Sequence, residues 1–369
     1  MSGTQFGMIA LAASLAAATA SAQPSDEARL KPAWEALDAN KDGKVALAEL
    51  NPMMAAALKP HDLDADGFIS LAEYVDFDLD PNSEGRIPLA DNVMWITNLA
   101  YAGTSDPRQA LDIYLPKRRT GEGPLPVLAY VHGGGWVIGS KIMGREQVMA
   151  LANSGRFAVV SIGYRLAWQA PWPAQIDDVR TAIRWIKAHA GDYGFDAHRI
   201  CAMGVSAGGQ LVAKLGLAAD DANAAKAGPY RDQSSRVRCV VSEASPTDLR
   251  NIPPGVTSLD QFLGGGDGRA DHARSASPVV DIDAGDPPFL IIHGNKDPIV
   301  PYQQAVEFDA ALRKAGVPAL FQTVDGGGHG GFGSAWPAIN ERIRLFLERE
   351  LYDPTIKVPT DMLSVKPGQ

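Results

Sequence analysis

Ser206 stands between glycines in Gly204-Val205-Ser206-Ala207-Gly208, directly after the apolar run Ile200-Cys201-Ala202-Met203 and directly before Gln210-Leu211-Val212-Ala213-Lys214-Leu215. A strand-like run, a sharp turn and a helix-like run are what lift one hydroxyl clear of a sheet, and the glycines at 204 and 208 let the chain reverse there. A serine hydroxyl is a weak nucleophile near neutral pH, so it needs a base to take its proton and an acid to orient that base. The chain supplies both downstream. Asp297 follows the apolar Phe289-Leu290-Ile291-Ile292-His293-Gly294, and His329 lies in Gly326-Gly327-Gly328-His329-Gly330-Gly331, after the strand-like stretch 319–324. Upstream, His132-Gly133-Gly134-Gly135-Trp136 ends the apolar run 126–131. Successive glycines after a strand can turn backbone N–H groups onto one point, which suits negative charge developing on a carbonyl oxygen. Each piece has an ordinary explanation: short G-x-S-x-G patterns recur by chance, an Asp after a strand is commonly a turn residue, and glycine runs are commonly plain turns. All four in the order glycine run, serine, acid, histidine point to acyl transfer through a covalent serine ester, with Ser206, Asp297 and His329 as the catalytic set.

A second constellation is independent of the first. Asp38-Ala39-Asn40-Lys41-Asp42-Gly43-Lys44-Val45-Ala46-Leu47-Ala48-Glu49 and Asp62-Leu63-Asp64-Ala65-Asp66-Gly67-Phe68-Ile69-Ser70-Leu71-Ala72-Glu73 both match the twelve-residue EF-hand loop. That loop needs oxygen ligands at positions 1, 3 and 5, glycine at 6, a backbone carbonyl at 7 and a bidentate Glu at 12. The expected ligands are Asp38, Asn40, Asp42, Lys44 (carbonyl) and Glu49 in one loop, and Asp62, Asp64, Asp66, Phe68 (carbonyl) and Glu73 in the other. Val45 and Ile69, β-branched at position 8, are suited to pairing the loops through a short strand. Acidic loops in general do not place glycine and glutamate correctly twice. The loops begin 24 residues apart, with Pro52 and Pro60 bounding one short connecting helix. This spacing is comparable to that of dockerin modules and suits two structural Ca2+ sites, or an anchoring surface, better than a sensor that must open helix pairs. From 26 to 80 thirteen acidic side chains face five basic ones, so a cation would relieve repulsion there.

The elements that must position these residues follow from periodicity. Strand-like stretches at 126–132, 157–162, 199–204, 237–243, 289–293 and 319–324 alternate with helical patterns at 145–153, 174–190, 207–218, 303–315 and 335–351. Such alternation predicts an α/β fold, a doubly wound and mostly parallel sheet, with antiparallel edge strands at 92–99 and 110–114 and a small all-α EF-hand pair before it. The segment 251–275, rich in glycine and charge, interrupts the alternation as a candidate rim or partial lid. The organisation expected is a signal peptide over 1–22, the EF-hand pair over 23–80, a linker over 81–90, the catalytic domain over 91–352 and a tail over 353–369. The apolar stretch 8–20 is too short to span a membrane, and Ala20-Ser21-Ala22 fits cleavage before Gln23, although no Lys or Arg precedes the apolar stretch. Secreted or periplasmic placement is therefore expected, where calcium is plentiful. The net charge of −9 argues against nucleic acid as a partner, and no other stretch is apolar enough to span a membrane. Cys201 and Cys239 fall on neighbouring strands, where parallel pairing predicts free buried thiols.

From 92 to 351 the chain resembles the α/β-hydrolase esterases related to hormone-sensitive lipase. It looks most similar to the bacterial feruloyl and acetyl esterase branch, which also resembles kynurenine formamidase. Leu111-Asp112-Ile113-Tyr114-Leu115-Pro116, the run 132–136, Gly163-Tyr164-Arg165-Leu166, Pro173-Ala174-Gln175, the run 204–209, Ser245-Pro246-Thr247-Asp248-Leu249 and the loops of Asp297 and His329 carry the likeness. The resemblance implies oxyanion donors at Gly134, Gly135 and Ala207, with Gly133 or Trp136 if the register differs by one. It implies a small-molecule or polysaccharide-linked ester as substrate and no cofactor for catalysis. Trp136, Trp168 and Trp172 fall in loops expected at the catalytic end of the sheet, with Trp136 the foremost substrate contact. Two other functions fit the same residues: an arylformamidase-like amidase, and a calcium-dependent binding or anchoring module whose hydrolase activity is secondary.

Overall fold

The computed structural model describes residues 89–366 except 221–227 and 253–256, and N-terminal to these 31, 34, 35, 37, 38, 40–50, 55, 58, 59, 62 and 64–74. The expected signal peptide over 1–22, most of the expected linker and the last three residues of the expected tail lie outside the described residues.

Two short strands come first, β1 (Val45–Ala46) and β2 (Phe68–Ile69), paired antiparallel with Val45 opposite Ile69. The position-8 residues thus join the two acidic loops, as their β-branching predicts. Trp34 donates its indole N–H to the Ile69 carbonyl at 2.7 Å.

Among the described residues the main sheet has nine strands. In chain order they are β3 (Val93–Ala100), β4 (Ala110–Pro116), β5 (Leu125–Val131), β6 (Ala158–Ile162), β7 (Phe195–Val205), β8 (Cys239–Glu243), β9 (Phe289–Gly294), β10 (Ala319–Asp325) and β11 (Leu363–Ser364). Their spatial order is β11-β10-β9-β8-β7-β5-β6-β4-β3. Pairing is parallel from β6 through β11 and antiparallel at the β3 and β4 edge. Every residue of β4, β5, β6, β8 and β9 is buried, which is why these strands read as unbroken apolar runs and not as alternating ones.

Helices cover both faces: α1 (Arg145–Asn153), α2 (Ala174–Ala188), α3 (Ala207–Leu217), α4 (Thr257–Leu263), α5 (Arg269–Ala276), α6 (Tyr302–Ala315) and α7 (Trp336–Leu351). Two hydrophobic clusters result, one per face. The first includes Ile176, Ile183, Leu211, Leu215 and Phe308, and the second Val148, Phe157, Ile343, Phe346 and Leu347.

Three expectations change. The segment expected as an irregular rim contains α4 and α5, and the expected tail adds β11 beside β10. Cys201 and Cys239 are not free thiols but a disulfide. They lie opposite each other in the register of β7 and β8 with Cα atoms 4.6 Å apart, so both side chains leave the same face within bridging range.

Candidate active site

Ser206 follows the last residue of β7 and caps α3 with φ 55° and ψ −121°, a conformation that costs a non-glycine residue energy and needs its surroundings to hold it. The flanking glycines are obligatory. A Cβ at Gly204 would meet the Gly208 carbonyl, and one at Gly208 would meet the carbonyls of Val131 and His132. The Ser206 N–H donates to the Glu243 carbonyl at 2.8 Å, fixing the elbow to β8.

The structure brings Ser206, His329 and Asp297 into one chain of hydrogen bonds. His329 Nε2 is 2.9 Å from Ser206 Oγ, and His329 Nδ1 is 2.8 Å from Asp297 Oδ2. An ionised Asp297 can only accept, so Nδ1 carries the proton and Nε2 is free to accept from the serine. The Asp297 side chain is fully buried, which by itself raises its carboxyl. Hydrogen bonds from His293 and His329, the electrostatic attraction of the His329 ring and the Ile299 N–H outweigh burial and hold it well below the usual carboxylate range. His293 Nε2 lies 3.1 Å from Asp297 Oδ2, while Asp297 Oδ1 accepts from the Ile299 and Val300 N–H groups at 2.8 and 2.9 Å. His293 is absent from the sequence-derived site. Its only signal is its place four residues before Asp297 at the end of an apolar run.

Gly134, at φ 106°, is closed in by Ile138, whose carbonyl a Cβ would strike. Gly135 and Trp136 also have positive φ, 57° and 63°. The N–H groups of Gly134 and Gly135 donate to no carbonyl or side chain among the described residues. Ala207 N–H opens α3 and has no intrahelical acceptor. His132 braces the run from below. Burial lowers its imidazole to a pKa of about 3, the Gly133 carbonyl at 2.7 Å opposing, so it stays neutral while stacked on Tyr164 at 4.2 Å.

Trp136, expected as the foremost substrate contact, is packed into the protein beside the site. It is 5% exposed, its ring stacks on Phe262 of α4 at 4.0 Å, and its indole N–H donates to Gln210 Oε1 at 3.0 Å. Gln210 in turn donates to the Ala276 carbonyl at 2.6 Å. Trp172 is buried against the edge of Phe262 and bonded to Ser275, and Trp168 is half-buried. Trp136 therefore ties the glycine run and the elbow helix to the rim, and Trp172 packs on the same rim residue. Gln210 and Phe262 carry no local sequence signal, because their partners are far away in the chain.

A family model described as BD-FAE matches residues 111–312, which hold the glycine run, the elbow and Asp297. The chain belongs to the BD-FAE family. This BD-FAE chain is 36% identical over 235 residues to Esterase LipC of Mycobacterium tuberculosis (strain ATCC 25618 / H37Rv), covering 61% of this chain and 57% of LipC. Among solved structures it is similar to a truncated carbohydrate esterase from gut microbiota, 30% identical with a TM-score of 0.64, covering 71% of this chain and 98% of that one. It is equally similar to a bifunctional GH43-CE from Bacteroides eggerthii, at 30% identity and TM-score 0.64, covering 72% of this chain and 36% of that one. The chain spans about half the length of the curated relatives it matches. These neighbours fit an α/β-hydrolase fold.

The acidic loops of the BD-FAE chain lie apart from Ser206 in sequence and have their own geometry. Gly43 and Gly67 both take φ 84°, as position 6 requires. Asp38 accepts from the N–H groups of Asp42 and Gly43 at 3.2 and 2.8 Å, and Asp62 from those of Asp66 and Gly67 at 3.0 Å each. Carboxylate oxygens of Asp62, Asp64 and Asp66 lie within 4.8 Å of one another. The backbone N–H of Asp66 lowers the Asp64 carboxyl, but desolvation and the charges of Asp66, Glu73 and Asp62 leave it raised. Asn40 donates to Glu49 at 2.6 Å, joining positions 3 and 12 of the first loop, and Glu73 accepts from Ser70 N–H and Oγ–H at 2.8 Å. An all-oxygen donor set with self-repelling carboxylates fits a hard divalent cation such as Ca2+. Among the described residues no helix is long and apolar enough to cross a membrane.

Proposed function

We propose that this chain is a secreted or periplasmic serine carboxylesterase acting on short-acyl or aromatic esters of the acetyl and feruloyl type, free or linked to polysaccharide. The observation that carries the reading is the unbroken path from Ser206 Oγ through His329 to a buried, ionised Asp297. His329 takes the serine proton as Oγ attacks the ester carbonyl and returns it to the departing alcohol, while Asp297 holds the imidazole tautomer and stabilises its charged form. Gly134, Gly135 and Ala207 N–H groups receive the oxyanion, each worth about 3–4 kcal/mol of transition-state stabilisation. Water then cleaves the acyl-enzyme. The names of LipC and the gut carbohydrate esterase support an ester as substrate.

The paired EF-hand loops bind two Ca2+ ions for stability, through Asp38, Asn40, Asp42, Lys44 carbonyl and Glu49, and through Asp62, Asp64, Asp66, Phe68 carbonyl and Glu73; anchoring to a partner is a second use of the same surface. The disulfide supports an oxidising compartment. The substrate claim is tested on p-nitrophenyl acetate, butyrate and decanoate alongside methyl ferulate and acetylated xylan. Turnover is expected to be highest on acetate, butyrate or ferulate. A maximum on decanoate contradicts it.

A further inference from the structure

Glu243 is the last residue of β8 and is 1% exposed. Its backbone carbonyl accepts the Ser206 N–H at 2.8 Å and the Ser245 hydroxyl at 3.1 Å. In the sheet it lies between Val205, the residue before the nucleophile, and Ile292, the residue before His293. Its side chain points away from α3, onto the face it shares with Cys239 and Val241, which is covered by α1, α7 and the histidine turn; from α7 the uncharged Asn340 bonds Gln147. Oε1 stands 3.9 Å from where a Cβ on Gly330, the residue after His329, would be. Neither carboxyl oxygen makes a hydrogen bond of ordinary geometry, although both are buried. A buried acid with so little to hold its charge is costly unless it stays neutral.

The groups around it are few. On the elbow side there is Ser206, and at the end of β9 His293, whose Nε2 lies 3.0 Å from the Val300 carbonyl and 3.1 Å from Asp297 Oδ2. The turn contributes His329, committed to Ser206 and Asp297. From α1 the uncharged amide of Gln147 faces it, while the Arg145 guanidinium packs on the Trp95 ring at 4.4 Å. No ion pair to Glu243 occurs among the described residues. Burial pushes its carboxyl up to about 8, with only the Gln147 amide opposing.

Resting on the hydrolase reading, we propose that Glu243 is a positioning residue: its buried carboxyl, wedged between the nucleophile elbow and the histidine turn, holds His329 at Ser206 while protonated and releases the turn when it ionises. The charged form has no cation to pair with and must draw in water or move toward solvent. Either displacement opens the space beneath Gly330, and His329 leaves hydrogen-bond range of the serine. No covalent step involves Glu243. Its effect is on the fraction of molecules with the catalytic hydrogen bond assembled.

The test is the pH profile of kcat/KM on p-nitrophenyl acetate from pH 6 to 10 for the wild type and Glu243→Gln. The neutral isostere cannot ionise. The wild type is expected to lose roughly 30-fold between pH 7 and 9.5, the ratio of protonated fractions for a group titrating at about 8. Glu243→Gln is expected to keep pH 7 activity within about threefold and to lose the alkaline fall. If Glu243→Gln does not fold, Glu243→Met, which fills the same volume on an apolar face, serves in its place. A packing role alone would change melting temperature and leave the alkaline limb in place. A wild type that is active and flat to pH 9.5, or a variant that keeps the wild-type limb, overturns this proposal alone. A wild type inert on every ester at pH 7 overturns the hydrolase reading and this one with it.

Discussion

Asp297 is held by more hydrogen bonds than the orientation of one imidazole requires. His293, His329 and the N–H groups of Ile299 and Val300 all reach its two oxygens, so the carboxylate is fixed in position as well as in charge. Asp297→Asn keeps the shape but offers an amide N–H to His329 Nδ1, which favours the tautomer that cannot accept from Ser206. Steady-state assay should find kcat lowered about 10,000-fold with the circular dichroism spectrum unchanged. A loss under tenfold contradicts the role. The same residue predicts acid sensitivity. Its native carboxyl titrates below its unfolded value of about 3.9, so the stability it contributes is full above that pH and is lost as pH falls toward the native value.

The elements positioning these residues were legible in the sequence where burial is two-sided. Fully buried parallel strands leave unbroken apolar runs, and the glycines of the elbow record a clash that no other residue escapes. This is why Ser206, Asp297 and His329 could be picked out from chain order and flanking pattern. What could not be read is whatever depends on register between distant strands. The Cys201–Cys239 bridge follows from the two residues standing opposite each other, and the sequence contains no register. Glu243 reads as a polar strand end until Val205 and Ile292 are placed beside it. Trp136 was placed at the catalytic end by its loop, with no sign of what packs on its ring. Its burial is decided by Phe262, 126 residues onward in a segment without clear periodicity. At the N-terminal loops the turn glycines and the pairing of Val45 with Ile69 were legible for the opposite reason: both are local, following from one loop position repeated twice.

At the scale of the whole molecule, Leu37, Val45, Leu58, Ile69 and Tyr74 belong to the same hydrophobic cluster as Tyr101, Leu166 and the core of the main sheet. Apolar packing thus runs continuously from the acidic loops into the main sheet, so a cation bound in the loops, as proposed, would stabilise the larger unit. With calcium at about a hundred times its dissociation constant, linkage gives about 2.7 kcal/mol. For a domain of this size that is about 5 °C in melting temperature. Differential scanning fluorimetry in 1 mM calcium against excess chelator should give that shift, with ester turnover at 25 °C unchanged within twofold. Equal melting temperatures in the two conditions contradict the calcium reading and leave the catalytic one intact. The catalytic reading meets its most direct test in the reaction of the native chain with diethyl p-nitrophenyl phosphate, followed by intact-mass and peptide-level mass spectrometry. One diethylphosphoryl group per chain on Ser206, forming 100- to 10,000-fold more slowly in His329→Ala, is the expected result. Label on another residue, or labelling of Ser206 at the same rate without His329, contradicts the account.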